Sequence, residues 1–388
     1  MAWGLASRTC EFAEVQRGTG GCCRPLMFAY WGRRGPLSQL SLELAHVIAA
    51  RNDLRCTISV SKQNEQFGKF NFLHEDLFAI DTYNYQAFLC YMHLRNLRRN
   101  LTQRLLCDNA RAFVSMMPHM WSPLTASAIR RAGVRHIAVI HDANGHPGDR
   151  SGLANGWLLR EAAVADHVIT LSATVAHQLM DAHGISEKKI SVLFHPDLNY
   201  GTQLGSGERR SGPLRVLFLG RVLPYKGLDL LVDAIARLRN DGVQVQIGVF
   251  GEGKIKSTTA AALSALGAEI ENRWLRDDEF KGILSRYDIV AASHREASQS
   301  GVIAAAFGAG LPVVATPVGG LPEQVTHNAT GLVAKSATAA AFADTIRMLA
   351  KNRGLLAQLQ REIIARREER SIQRFVDKIC DIALCQQI

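Results

Sequence analysis

The chain of 388 residues is 47% hydrophobic and 21% charged, with 45 Lys and Arg against 35 Asp and Glu and a formal net charge of +10. That length exceeds one ordinary core and calls for two or three domains, and the composition excludes a disordered chain. No run of eighteen uncharged apolar residues occurs, so none reads as a spanning helix; the basic excess favours an anionic partner, a nucleotide phosphate or anionic lipid, over nucleic acid, for which no binding module accompanies the charge.

Residues 1–24 lack a basic start followed by an apolar segment and read as a disordered leader rather than a secretory signal. The eight cysteines form no C-x-x-C pair and show no metal-ligand spacing, which reads as reduced thiols. From PLMFAYWG onward, short apolar runs alternate with helical patterns. PLSQLSLELAHVIAARN is a helix, CTISVS a strand, 83–107 a helix, ARAFVSM a strand and 124–132 a helix. VRHIAVIHD, a helix over 151–164, HVITLS, TVAHQLMDAHG and ISVLF complete this half. In the 83–107 segment, LRNLRRNLTQRLL places Leu94, Leu97, Leu101 and Leu105 on one face and Arg95, Arg98, Arg99 and Arg104 over much of the rest. That pattern fits a solvated surface helix or one that docks on an anionic membrane.

The stretch NYGTQLGSGERRSGP, 199–213, is rich in Gly and Ser without an apolar period and reads as a linker. Beyond it LRVLFLG, GLDLLVDAIARLRNDG, VQIGVFG, AEIENRW, YDIVAAS and PVVATP repeat the alternation. Short β-branched strands between helices imply parallel sheets covered on both faces, hence an α/β fold of two doubly wound units, 25–198 and 214–370. Residues 371–388 form a charged, periodic helix able to pack back on the first unit. Ligands of such folds bind at the carboxyl edges of the strands.

Four stretches carry chemistry at those edges. In LFLGRVLPYKG, Arg221 and Lys226 follow a buried strand, a placement that suits a diphosphate. In HREASQSGVIAAAFGAG, Glu296 precedes Ser298, Gln299, Ser300, Gly301 and Val302 where a helix begins. Its unpaired N–H groups would seat a phosphate, although Ser300 serves equally as an ordinary N-cap. In VIHDANGHPG, His141 ends a strand, with His146 in the turn beyond, and is open to a ligand or a structural role. In AYWGRRGPLSQ, Gly32 and Gly35 bracket a loop before a helix with Pro36 in its first turn. No two aspartates stand one residue apart, so no metal-carrying D-x-D exists and no metal is expected.

Together GRVLPYKG, AASHREASQSGV and GLPVVATPVGGLPEQV resemble the retaining sugar-nucleotide glycosyltransferases of family 4, with the GT-B architecture of two facing Rossmann-like domains. The resemblance is good over residues 214–350 and looser through WGRRGP, IHD and VITLS. It implies that 25–198 is the acceptor side and 214–370 the nucleotide-sugar domain. Arg221 and Lys226 would then grip the donor diphosphate, Glu296 would lie by the transferred sugar, and the turn at Ser300, Gly301 and Val302 would offer amides. Ser298 and Gln299 would join the donor site and His141 would stand beside the sugar. Gly32 and Gly35 would shape the acceptor and phosphate loop. The family's second glutamate is absent, because Ala304 and Ala305 occupy the two positions where it could fall.

The function so implied is retaining transfer of a hexose from a UDP- or GDP-sugar to a glycan or lipid-linked acceptor in bacterial polysaccharide biosynthesis. The setting expected is cytoplasmic, with peripheral contact at the inner face of an anionic membrane. No cofactor, metal or nucleic acid is expected. A GT-B epimerase or hydrolase of nucleotide sugars, or a non-catalytic nucleotide-sugar-binding partner of a synthase, stays open as an alternative.

Overall fold

The computed structural model describes residues 25–82, 87–145, 155–201 and 212–384. The expected leader and most of the expected linker therefore lie outside the described residues, as does His146. Seven strands, β1 (Leu26–Tyr30), β2 (Cys56–Ser61), β3 (Leu77–Ile80), β4 (Ala112–Ser115), β5 (Arg135–Ile140), β6 (His167–Thr170) and β7 (Ile190–Val192), form the first sheet. Its order is β3-β2-β1-β4-β5-β6-β7, and every pairing is parallel. Six more strands form the second: β8 (Leu214–Leu219), β9 (Val245–Phe250), β10 (Glu269–Glu271), β11 (Ile289–Ala292), β12 (Val313–Ala315) and β13 (Gly331–Val333). They run in the order β10-β9-β8-β11-β12-β13, again all parallel. The sequence reading had not distinguished β3 and β13, which are only four and three residues long.

Strand alternation sorts side chains between the two faces of each sheet. On β1, Leu26, Phe28 and Tyr30 enter one core, while Met27 and Ala29, with Trp31 just beyond the strand, enter the opposite one. On β8, Leu214, Val216 and Phe218 face one core and Leu217 and Leu219 the other. Both faces being buried explains why these strands read as continuous apolar runs.

The helix Ile372–Leu384 packs on the first sheet although it follows the second in the chain. Ile372, Phe375, Val376, Ile379, Cys380 and Ala383, a helical stripe, all lie in the core that β1 and β2 share with the helix Pro36–Ala49. Each large side chain buried there contributes about 1.5–3 kcal/mol.

Several contacts join the two halves. Leu198 N–H donates to the Ala304 carbonyl at 3.1 Å, and Arg370 Nε donates to Asp197 at 3.0 Å. Tyr200 stacks on Phe280 with centroids 4.5 Å apart, and the Arg34 guanidinium lies 4.2 Å above the Trp274 ring. Glu323 accepts from Ala173 N–H at 2.5 Å, Thr174 N–H at 3.0 Å and Thr174 Oγ1 at 2.7 Å, so the second half caps the first-half helix Ala173–His183.

Two carboxyl groups are shut into this junction. Burial pushes Glu43 up to about 7, against the Gln39 and Asn199 donors that stabilise its charge. Burial and the neighbouring Glu65 push Asp277 up to about 6. Each holds its proton more tightly folded than unfolded, so its contribution is complete below the unfolded pKa and is lost as pH rises through 6 to 7. The thermal midpoint is therefore expected to fall between pH 5 and pH 8. Glu43→Gln, which keeps an acceptor for Gln39 and Asn199, should flatten part of that fall in a calorimetric pH series. An unaltered slope would remove Glu43 as a source.

Candidate active site

The second sheet supplies a rigid cationic turn. Strand β8 ends at Gly220, whose φ of +102° and close approach to Val302 turn the chain toward the start of the helix Gly301–Gly308. Arg221 stands exposed just past the strand end. Lys226 closes a short 3-10 turn, Pro224–Lys226, and Gly227 follows with φ +67°. A Cβ at Gly227 would lie 2.0 Å from the Ser293 carbonyl oxygen, so only glycine lets this turn sit against the β11 loop. Ser293 Oγ donates to the carbonyl of Gly227 at 2.9 Å, and Arg295 N–H donates to that of Tyr225 at 2.7 Å.

Lys226 Nζ reaches His294 Nε2 at 2.8 Å and lies 5.1 Å from the Tyr225 ring centroid. An ammonium can only donate, so the imidazole accepts at Nε2. The buried His294 thus orients the lysine, and Thr316 Oγ1 donates to the His294 carbonyl at 2.6 Å. The sequence reading passed over His294 although it lies in the quoted turn. Histidine two residues before the singled-out acid was the available signal.

Glu296 is exposed in the same loop after β11. Ser298 is buried, and its carbonyl accepts from Ser172 Oγ of the first half at 2.9 Å. Gln299 Nε2 faces His141 Nδ1 at 3.4 Å across the junction. Ser300 is the N-cap of Gly301–Gly308 without making a side-chain cap, and its buried hydroxyl has no hydrogen-bond partner among the described residues. Its backbone is clamped instead: Ser300 N–H donates to Gln324 Oε1 at 3.0 Å, and Gln324 Nε2 donates to the Ser300 carbonyl at 3.0 Å. The Ser300 amide is therefore committed within the protein. The N–H groups of Gly301 and Val302 precede the first intrahelical bond, which Ile303 N–H makes to the Ser300 carbonyl at 3.1 Å. Sequence alone missed Gln324, since GLPEQV does not reveal which carbonyl its amide meets.

The first half faces this helix start with one of its own. Gly35, at φ +96°, precedes Pro36–Ala49, and its N–H donates to Glu65 Oε1 at 3.0 Å. A Cβ on Gly301 would come within 2.8 Å of Pro36 Cβ, so the two helix N-termini abut. Gly32 has a different reason to be glycine. A Cβ there would fall 2.5 Å from Tyr30 Oη, so it makes room for a ring of its own loop.

His141 follows the last residue of β5 and is buried, with Nε2 donating to the Met116 carbonyl at 2.8 Å. Burial lowers its pKa against the opposing pull of that carbonyl and Asp142, so Nδ1 is a lone-pair acceptor turned toward Gln299. His119, not singled out from sequence, lies at the same edge beyond β4. Its Nδ1 accepts from Trp121 N–H at 3.2 Å, and burial with the nearby Arg33 charge holds it down to about 4. The Trp31 and His119 rings meet edge-on, 6.1 Å between centroids.

The two alanines in place of an acid are buried, each 1% exposed. Ala304 belongs to the first-half core, and its helix packs so close to the 197–198 segment that a Cβ on Gly308 would lie 1.9 Å from the Leu198 carbonyl. A carboxylate at 304 would face that packed segment. Among the described residues, no group of three His, Cys, Asp or Glu side chains is placed to hold a metal ion.

Two Rossmann-like parallel sheets, meeting at their carboxyl edges around two helix starts, make this a protein of the GT-B glycosyltransferase fold. The Anabaena protein HepE, solved in complex with UDP-glucose, is similar over 93% of this chain and 99% of its own, with a TM-score of 0.68 and 17% identity. Residues 213–352 match the family described as glycosyl transferases group 1. Over those residues the chain is similar to the group 1 glycosyltransferases. A glycogen synthase of Mycobacterium tuberculosis is 26% identical over 229 residues, covering 54% of this chain and 53% of that protein. A D-inositol 3-phosphate glycosyltransferase of Mycolicibacterium smegmatis is 30% identical over 194 residues, covering 47% and 44%. The chain spans about half the length of these curated relatives.

Proposed function

We propose that this protein is a retaining glycosyltransferase that moves a hexose from a UDP- or GDP-sugar to a glycan or lipid-linked acceptor, without a metal or other cofactor. The observation that carries this reading is the abutment of the start of Gly301–Gly308 on Pro36, beside Gly220 at the head of the turn that carries Arg221 and Lys226, with a buried Ser300 hydroxyl that has no hydrogen-bond partner among the described residues. Two cations and two helix N-termini define a seat for a doubly charged group. HepE, of the same fold, binds UDP-glucose, which favours a uridine donor.

In the proposed reaction the acceptor oxygen bonds to the anomeric carbon on the face the leaving group departs. The bond from that carbon to the diphosphate oxygen breaks, its electron pair stays on the diphosphate, and the acceptor proton passes to the departing phosphate oxygen. Arg221, Lys226 and the Gly301 and Val302 amides stabilise the charge where it builds, the largest expected contribution to rate. Glu296 and Gln299 lie on the sugar side of this seat. Neutral His141 orients the sugar through Nδ1, and closure of the junction excludes water. The setting proposed is bacterial polysaccharide assembly at the inner face of the membrane. No described helix is long and apolar enough to cross a membrane.

The test is release of nucleoside diphosphate by purified protein from a panel of UDP- and GDP-sugars, with and without lipid-linked or glycan acceptor. Acceptor-dependent release is expected. Acceptor-independent interconversion of the sugars would show an epimerase instead, and binding without turnover a non-catalytic partner. EDTA in the same assay should leave the rate essentially unchanged, and strict dependence on added divalent metal would contradict the metal-free seat. His141→Ala is expected to slow transfer while nucleotide still binds by calorimetry; loss of nucleotide binding would move His141 away from the sugar.

A further inference from the structure

The helix Ala87–Cys107 lies on the face of the first sheet opposite the C-terminal helix, burying Leu97, Leu101 and Leu105. Its outer side is unusual in two independent respects. Between residues 82 and 134 seven arginines stand against a single acid, Asp108. Arg104 is paired with that acid at 2.7 Å. Arg98 donates to Ser127 Oγ, whereas Arg95, Arg99 and Arg131 are exposed and make no ion pair among the described residues. The second feature is apolar. Of the nine exposed large hydrophobic side chains among the described residues, five fall here: Tyr91, Met92, Leu106, Met120 and Leu124. Tyr91, Leu106, Arg95, Arg98, Arg99 and Arg131 line one open groove.

We infer that this face, centred on Arg95, Arg99, Arg131, Tyr91 and Leu106, docks on the headgroup layer of an anionic lipid bilayer. Guanidinium groups attract the lipid phosphates, and each basic residue near such a surface adds to binding; the exposed apolar side chains enter the boundary below the headgroups. A polyanion without a lipid phase would use the arginines but leave Tyr91 and Leu106 in water, which is why the combination favours a bilayer. Orientation strengthens the assignment. His93 Nε2 is bonded to the Asp81 carbonyl at 2.5 Å, just past β3, and Arg104 Nη2 donates to the Glu75 carbonyl at 2.8 Å, just before it. The helix therefore runs away from the carboxyl edge of the sheet. Tyr91, Met92 and Met120 lie at the same edge as His119 and His141, while the arginines extend behind. Docked this way, the Tyr91 and Met92 end of the face adjoins the carboxyl edge of the first sheet, where a lipid-linked acceptor would present its sugar. That consequence rests on the proposed function; the docking itself does not.

The experiment is co-sedimentation of the full chain with vesicles of phosphatidylglycerol and phosphatidylcholine in equal parts, and with phosphatidylcholine alone. Binding to the charged vesicles only is expected. Arg95→Glu/Arg99→Glu/Arg131→Glu should weaken it at least about tenfold, and Tyr91→Ser/Leu106→Ser should weaken it without changing its dependence on salt. Circular dichroism melts verify that these surface variants fold. No sedimentation with charged vesicles, equal sedimentation of the triple variant, or retention on heparin without vesicle binding would each overturn the assignment. Donor turnover with a soluble acceptor is expected to be the same in the triple variant. If vesicles bind but no donor turns over, the docking face stands and the transferase reading falls.

Discussion

Lys226→Ala and Arg221→Ala are each expected to lower turnover at least about tenfold, a loss of about 1.4 kcal/mol or more in the barrier. Lys226 is held in place by the lone pair of His294 at 2.8 Å, so its ammonium waits at a fixed point rather than sweeping solvent. Fixed charge needs no reorganisation when the leaving group becomes anionic, which is the reason such groups accelerate reactions. Arg221, exposed at the strand end, offers planar donors that a second phosphate oxygen pair can accept. The measurement is the initial rate of nucleoside diphosphate release at saturating donor, with a thermal melt as control. His294→Ala should give a weaker version of the Lys226 defect, since the lysine persists without its guide. Normal rates in both cation variants would remove the diphosphate reading.

Arg370→Ala should cost about 3–5 kcal/mol of folding stability. Asp197 is 8% exposed, and its carboxylate accepts from Arg370 Nε at 3.0 and 3.1 Å. Even so, burial outweighs the arginine and raises Asp197 to about 6. Without Arg370 the charged form has no compensation. The sign follows directly: Asp197 takes up a proton on acidification and ceases to be a buried charge, so the loss is greatest near pH 8 and smaller near pH 5. Urea unfolding of the variant at both pH values reads this out. Arg370→Ala/Asp197→Asn should recover part of the loss at pH 8. A loss independent of pH would assign the effect to the cation–π contact of Arg370 with Phe307, 5.0 Å from its ring centroid.

The chain order of strands and helices was legible because both sheets are buried on two faces and their strands are apolar throughout. β3 escaped notice because LFAI is short, half-exposed over three positions and preceded by the polar 3-10 stretch ending in HED. β13, GLV, is too short for any period to register. At the site, Arg221, Lys226 and Gly301 stood out through their place after strands or at a helix start. His119, His294 and Gln324 did not, because each meets a residue remote in the chain, Trp31, Lys226 and Ser300, that no local pattern encodes. Gly32 carries a constraint of another kind: a Cβ there would fall against the ring of Tyr30, whatever the loop binds.

Glu323 and Gln324 are neighbours in one short turn of helix, Leu321–Gln324, but hold different halves of the molecule. Glu323 caps the first-half helix, while Gln324 fixes the backbone at Ser300. A hinge movement that pulls one side chain from its partner must also strain the other, because a single peptide unit separates them. The two anchors are thus mechanically one piece: swinging the halves apart would tug at the backbone of Ser300, and with it at the proposed nucleotide seat.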